Sequence, residues 1–165
     1  MKRLIVIAAI GKNNELGKNN DLIWHIKEDL RFFRENTTGH HVVMGKNTFL
    51  SLPKMLPNRT HMVLNDDDYE FPKGVIVLRS LDEFFEKARE IDDDIYVIGG
   101  AFVYSQFAPL ADELILTEID DECPSADVYF PTINHDLYDK TIIEEHLDEK
   151  PAYKFVSYKK RKINK

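Results

Sequence analysis

A chain of 165 residues with 43% hydrophobic and 31% charged residues has room for one domain with a substantial core. Its formal net charge of -7 disfavours a general nucleic-acid binder, which displays a basic face. Anionic small ligands stay open, because a few local cations and backbone amides suffice to hold them. The single cysteine, Cys123, excludes an internal disulfide and reads as an ordinary thiol. Met1 to Ile10 lacks the apolar length and cleavage pattern of a secretory signal, and no stretch reaches membrane-spanning length, so the expected compartment is the cytoplasm.

In chain order, Leu4 to Ile10 is a continuous apolar run, the pattern of a strand buried on both faces. Residues 11–21, GKNNELGKNND, are polar and rich in Gly and Asn, and predict one long mobile loop. A helix is expected from Ile26 to Asn36, a strand over His40 to Met44, a short helix over Lys46 to Ser51 and a strand over Thr60 to Leu64. An acidic turn, Asn65 to Tyr69, precedes a short strand at Val75 to Leu78. Ser80 with Glu83 forms a capping-box pattern for a helix through Arg89. Ile95 to Ile98 is again fully apolar and ends in Gly99-Gly100. A helix from Phe102 to Phe107 stops near Pro109, and strands follow at Glu113 to Ile119, Lys140 to His146 and Tyr153 to Lys159. The pattern predicts one α/β domain with a mixed sheet, because the last two strands suit an antiparallel hairpin.

The most informative local feature lies on the helix after the glycine-rich loop. At about 100° per residue, Ile26, Leu30 and Phe33 share one side, with Asp29 at the edge of that stripe. Glu28 points nearly the opposite way, with Lys27, Arg31 and Glu35. Glu28 is therefore expected in solvent, whereas Asp29 is aimed toward an apolar pocket. A carboxylate there loses hydration, so its pKa should rise unless a partner compensates. It can recognise adjacent N–H donors or help deliver a proton; it can equally brace the helix start. Trp24, just before the helix, is either a pocket wall or a core aromatic.

Gly99-Gly100 ends a strand and precedes a helix, where exposed amides meet a phosphate or a tight turn simply closes. Neither the GxGxxG nor the Walker A pattern is present. Lys46 follows Gly45 at a similar junction, either facing an anion or solvated. The six histidines show no metal-ligand spacing, and Asp66-Asp67-Asp68 and Asp92-Asp93-Asp94 lack the alternation of a calcium loop. No metal is expected. No nucleophile motif appears, and Cys123 has no evident histidine partner.

Several segments occur together in an order that resembles the dihydrofolate reductases. They are Leu22-Ile23-Trp24, Asp29-Leu30 with Phe33, Met44-Gly45-Lys46-Asn47-Thr48-Phe49, and Leu56-Pro57-Asn58-Arg59. Val97-Ile98-Gly99-Gly100-Ala101 with Tyr104 follows, then Leu116-Thr117-Glu118-Ile119 and Asp127 before Phe130-Pro131. The resemblance implies an eight-stranded, mainly parallel mixed sheet with four flanking helices, a C-terminal antiparallel hairpin and an adenosine-binding subdomain over about residues 40–90. It implies NADPH as cofactor and 7,8-dihydrofolate as substrate, with hydride transfer to C6 and a proton gained at N5. A monomer without nucleic-acid or membrane partners is implied too.

Carried over by resemblance, Asp29 binds the pterin edge and promotes protonation, Thr117 supports it by a hydrogen bond, and Trp24 helps order water and close the site. Ile7, Ala9, Leu30, Phe33 and Ile98 line the pterin pocket, Leu52 and Leu56 contact the substrate's aromatic tail, and Arg59 grips its α-carboxylate. For the cofactor, Ala9, Ile10, Leu16, Gly17 and Asn20 lie on the nicotinamide side. Gly45, Lys46, Asn47, Thr48, Leu64, Asn65 and Arg79 match the pyrophosphate and adenosine region. Ile98, Gly99, Gly100, Ala101, Phe102, Val103 and Tyr104 match a second phosphate-facing segment, with a cis Gly–Gly peptide.

Three positions depart from the family. Ile23 stands where Pro often precedes the Trp, which frees the loop backbone. Lys46 replaces a frequent Arg and loses the planar fork. Asn65 and three aspartates stand where hydroxyl or basic residues commonly meet the adenosine 2′-phosphate. A reductase for a different pterin or deazaflavin, and a noncatalytic folate-binding protein, are the competing readings.

Overall fold

The computed structural model describes residues 1–162. In chain order the strands are β1 (Leu4–Ile10), β2 (Glu15–Lys18), β3 (Asp21–Leu22), β4 (His41–Gly45), β5 (Thr60–Leu64), β6 (Ile76–Leu78), β7 (Ile95–Gly99), β8 (Glu113–Ile119), β9 (Val128–Tyr129), β10 (Tyr138–His146) and β11 (Tyr153–Lys160). The α-helices among the described residues are α1 (Lys27–Thr37), α2 (Lys46–Ser51), α3 (Leu81–Ala88) and α4 (Ala101–Phe107). Eight strands form one sheet in the order β10-β11-β8-β1-β7-β4-β5-β6. Only β11 runs against its neighbours; the other pairings are parallel. The expected mixed, mainly parallel α/β sheet with its C-terminal hairpin is what forms.

Strand parity explains why both faces are covered. Side chains alternate across a strand, so Leu4 and Val6 enter one core cluster while Ile5 and Ile7 enter the other. The first cluster holds Phe84 of α3 with Val103 and Phe107 of α4; the second holds Phe32 of α1 and Phe49 of α2. Phe32 stacks on Phe155 of β11 with ring centroids 3.9 Å apart and planes 4° from parallel, which seats α1 against the sheet. A side-chain cap starts α3, where the Ser80 hydroxyl accepts from the Glu83 amide at 3.1 Å. The Glu83 carboxylate reaches the Arg79 amide at 2.7 Å rather than that of Ser80, so the capping box is displaced by one residue.

The segment expected as one mobile loop is partly strand. β2 pairs antiparallel with β3 and with β9, making a small second sheet. Asn19 and Asn20 turn between paired Lys18 and Asp21 with φ of 52° and 61°, the two left-handed residues that a tight hairpin needs and that asparagine tolerates. The partner strand lies more than a hundred residues along the chain, so local composition gave no sign of it. Elsewhere boundaries shift by a residue or two, as helix and strand ends do.

α1 also corrects the expected stripe. Its buried residues are Phe32 and Thr37, whereas Leu30 is 50% exposed. Since Phe32 extends the apolar arc on the far side of Asp29, the carboxylate lies near the middle of that arc and Leu30 lies at its edge.

Candidate active site

β4 continues through α2 to β5, whereas its neighbour β7 continues through α4 to β8, beyond β1. Adjacent parallel strands whose connections leave in opposite directions open a crevice at their carboxyl ends. A cleft of about 1660 Å³ lies there. Every residue singled out for the site lines it except Trp24 and Ile10. Ile10 is buried in the sheet core.

One wall is set by strand and helix phase together. Ala9 of β1 is in register with Thr117 of β8, and both share the face that carries α1. The Thr117 hydroxyl donates to Asp29 Oδ1 at 2.5 Å, with Phe32 and Phe33 on either side of the carboxylate along the helix. Burial pushes the Asp29 carboxyl above its ordinary range; the Thr117 bond favours the charged form and only partly offsets this. Tyr104, a largely buried part of the same lining, donates its hydroxyl to the Ile7 carbonyl at 2.7 Å. Its own pKa is pushed up by burial and by the negative field of Asp29.

The floor is made by two helix starts. Neither Gly45 before α2 nor Gly100 before α4 carries a side-chain cap, so first-turn amides of both helices lack the side-chain acceptor that Ser80 gives α3. The Gly99–Gly100 peptide is cis, as the resemblance implied. Gly99 has φ of 129°, open to glycine and hostile to other residues. A Cβ on Gly100 would sit 3.2 Å from the Thr48 hydroxyl, so the two helix starts meet closely because both junctions are glycine. In β7, Ile98 is the extra residue of a bulge, since Val43 pairs with Val97 but Met44 with Gly99. A bulge bends and twists its strand, and Ile98 lines the cleft there.

Charge differs between the ends. At one, Arg59 donates to the Pro57 carbonyl at 3.0 Å and the Thr37 hydroxyl at 3.1 Å, both neutral acceptors. Its pKa is lowered by burial and by the nearby charge of Arg34, which also lines the cleft. Two cations, one of them held only by neutral acceptors, can receive a carboxylate here. Sequence reasoning passed over Arg34, although it lies one helical turn after Leu30 on the same edge of α1.

At the other end, Lys46 Nζ is 2.7 Å from Asp67 Oδ2 and 4.9 Å above the Tyr69 ring. Asp67 Oδ1 accepts from Asn65 Nδ2 at 2.7 Å and from the Tyr69 amide at 2.8 Å. Together these hold the Asp67 carboxyl well below the usual range, Lys46 contributing most. Arg79 donates to the Asp66 carbonyl at 2.5 Å. The acidic turn expected at Asn65 to Tyr69 therefore closes on the cleft.

Trp24 is not among the residues lining the cleft; it packs against the second core cluster, and its indole N–H donates to Asp121 Oδ2 at 2.9 Å. A Cβ on Gly11 would lie 2.4 Å from Trp24 Cη2, so the indole packs where only glycine leaves room. Glu15, 1% exposed, accepts from the Asn13 and Cys123 amides at 2.7 and 2.6 Å. The Asn19 amide donates to Asp127 Oδ2 at 2.9 Å. These contacts fasten the β2–β3 hairpin to the 119–130 segment. No sequence signal marked Glu15 or Asp121, whose partners are distant in the chain.

Fold and site define an α/β protein with a long cleft at the carboxyl ends of its parallel strands. The profile of the dihydrofolate reductase family matches residues 3–162. The Bacillus subtilis dihydrofolate reductase is 36% identical over 96% of this chain and 95% of its own length. The Haemophilus influenzae dihydrofolate reductase is 41% identical over 78% and 79%. The solved Enterococcus faecalis dihydrofolate reductase, complexed with NADP(H) and RAB-propyl, superposes with a TM-score of 0.87 at 28% identity, covering 97% of both chains. The chain belongs to the dihydrofolate reductase family.

Proposed function

We propose that this chain reduces 7,8-dihydrofolate to 5,6,7,8-tetrahydrofolate with NADPH. The observation that carries the reading is Asp29, a carboxylate of raised pKa hydrogen-bonded to Thr117 in the middle of an apolar wall. Family membership and the NADP(H) complex of the Enterococcus relative support it.

The residues suit a dinucleotide. Two uncapped helix starts, meeting through Gly45 and Gly100, offer amides to a diphosphate. Gly45, Lys46, Asn47 and Thr48 would hold it from α2, and Gly99 to Tyr104 from α4, with Leu64, Asn65 and Arg79 under the adenosine. Ala9, Leu16, Gly17 and Asn20 would flank the nicotinamide. The bound nicotinamide supplies the reducing hydride.

The chain's own residues bind, orient and manage the proton. Asp29 accepts from the N–H donors of the pterin edge, and Thr117 keeps its oxygens aimed. Its raised pKa retains a proton nearer neutral pH than a solvated aspartate does, which favours protonation of the substrate. Ile7, Ala9, Leu30, Phe33 and Ile98 exclude water around the ring; Leu52 and Leu56 cover the aromatic tail; Arg59, with Arg34, receives the terminal carboxylate. Trp24 acts from behind the wall, where its bond to Asp121 fixes the hairpin that closes the site. We assign residues 40–90, the β4–β6 edge with α2 and α3, as an adenosine-binding subdomain of one domain. The enzyme acts as a cytoplasmic monomer without nucleic-acid partners; no helix among the described residues is long and apolar enough to cross a membrane.

Purified protein is expected to oxidise NADPH only when dihydrofolate is supplied. A folded protein that binds neither ligand and shows no such oxidation overturns the reading.

A further inference from the structure

The end of the cleft around Lys46 has an unusual charge layout for a site that takes a phosphorylated dinucleotide. Only Lys46 and Arg79 are cationic there among the lining residues, and both are held by the same acidic turn. Arg79 is held through the Asp66 carbonyl at 2.5 Å, and Lys46 through the Asp67 carboxylate at 2.7 Å. Asp66 and Asp67 themselves line the cleft. Lys46 is thus paired with a carboxylate, whereas Arg79 is held by a neutral carbonyl.

The direction of a bound dinucleotide follows from the walls already described, and the argument rests on the reductase reading. With its diphosphate at the starts of α2 and α4 and its reactive ring toward Asp29, the adenosine must run over the ends of β5 and β6. Leu64, Asn65 and Arg79 lie at those ends. The ribose therefore reaches the Lys46–Asp67 pair. A phosphate on that ribose needs the ammonium that Asp67 already holds, and it approaches a carboxylate of like charge. An unphosphorylated ribose meets neither cost.

We infer that Asp67 is a specificity-determining residue that competes with the adenosine ribose phosphate for Lys46 and so narrows the preference for NADPH over NADH. The competitor is well placed for this. Asp67 is fixed from its other oxygen by Asn65 and by the Tyr69 amide, so it does not simply swing away when a phosphate arrives. The pair is partly exposed, at 29% for the Lys46 side chain and 50% for that of Asp67. Its rupture is therefore affordable, and NADPH still binds.

The test uses Asp67→Asn, which keeps an acceptor for the Tyr69 amide but removes the charge. Affinity for adenosine 2′,5′-bisphosphate and for adenosine 5′-monophosphate is measured by calorimetry, alongside the KM for NADPH and for NADH with dihydrofolate. The bisphosphate and NADPH are expected to gain about three- to tenfold, as a charge-assisted contact is released to the ligand. The monophosphate and NADH should move by less than about twofold. Asp66→Asn, which leaves the Lys46 partner in place, should give the smaller effect of the two. Equal changes for phosphorylated and unphosphorylated ligands, or a loss for both, would mean that Asp67 merely braces the loop and would overturn the inference. A protein that binds both adenosine ligands but never couples NADPH oxidation to dihydrofolate overturns the reductase reading instead.

Discussion

The two ends of the cleft carry cations of the same formal charge in opposite circumstances. Arg59 is held by a carbonyl and a hydroxyl beside Arg34, so its charge is unspent until a carboxylate arrives. Lys46 is already matched by Asp67. A cation held by neutral acceptors contributes its full attraction to an incoming anion, whereas a paired one contributes only the difference between two partners. On the proposed reading, the Arg59 end is built for affinity and the Lys46 end for a graded choice between cofactors. Between them, Asp29 belongs to neither scheme: it is a charge kept in an apolar wall at a cost in stability.

The sharpest way to break this contrast is Asp29→Asn. Turnover near neutral pH is expected to fall about 10²- to 10⁴-fold, the usual contribution of a positioned acid or base. The fold should gain. Because the Asp29 pKa is raised by folding, stability is lost as pH climbs from the unfolded carboxylate's range through the folded value. Asp29→Asn should therefore melt higher than the wild type at neutral pH, and the two should converge below about pH 4. A variant that melts lower at neutral pH would show that the carboxylate braces the helix instead.

Arg59→Met should raise the KM for dihydrofolate about tenfold to a hundredfold, the loss of charge-assisted hydrogen bonds, with little change in NADPH binding. Lys46→Met should raise the KM for NADPH by only about three- to fivefold, because the ammonium lost was already paired. Steady-state kinetics of both variants check the ratio; an effect at Lys46 as large as that at Arg59 would erase the distinction. Smaller still, Gly11→Ala should cost about 1–3 kcal/mol in denaturant unfolding as the new methyl displaces the Trp24 ring. Unchanged stability would mean that the hairpin yields freely.

How much of this was readable beforehand follows the range of the interactions. Apolar runs such as Leu4–Ile10 and Ile95–Ile98 carry their strand identity locally, and the sheet formed where they predicted it. Helical phase separated Asp29 from Glu28, though it missed that Phe32 moves the carboxylate from the edge of the arc to its middle. The hairpin in residues 11–21 was hidden because β2 is completed by β9, far along the chain. The Lys46–Asp67 pair was hidden for the same reason: an aspartate in a polar turn has no local sign of a lysine 21 residues away. Trp24 read as either a pocket wall or a core aromatic, and its partner Asp121 carried no local signal.

The central claim is that the proton held at Asp29 governs the reaction, and the pH dependence of kcat/KM for dihydrofolate tests it most directly. Measured from about pH 5 to about pH 9 with saturating NADPH, the wild type should lose rate as pH rises through the raised pKa of Asp29, while Asp29→Asn should lack that inflection. Coincident profiles for the two proteins would contradict the account.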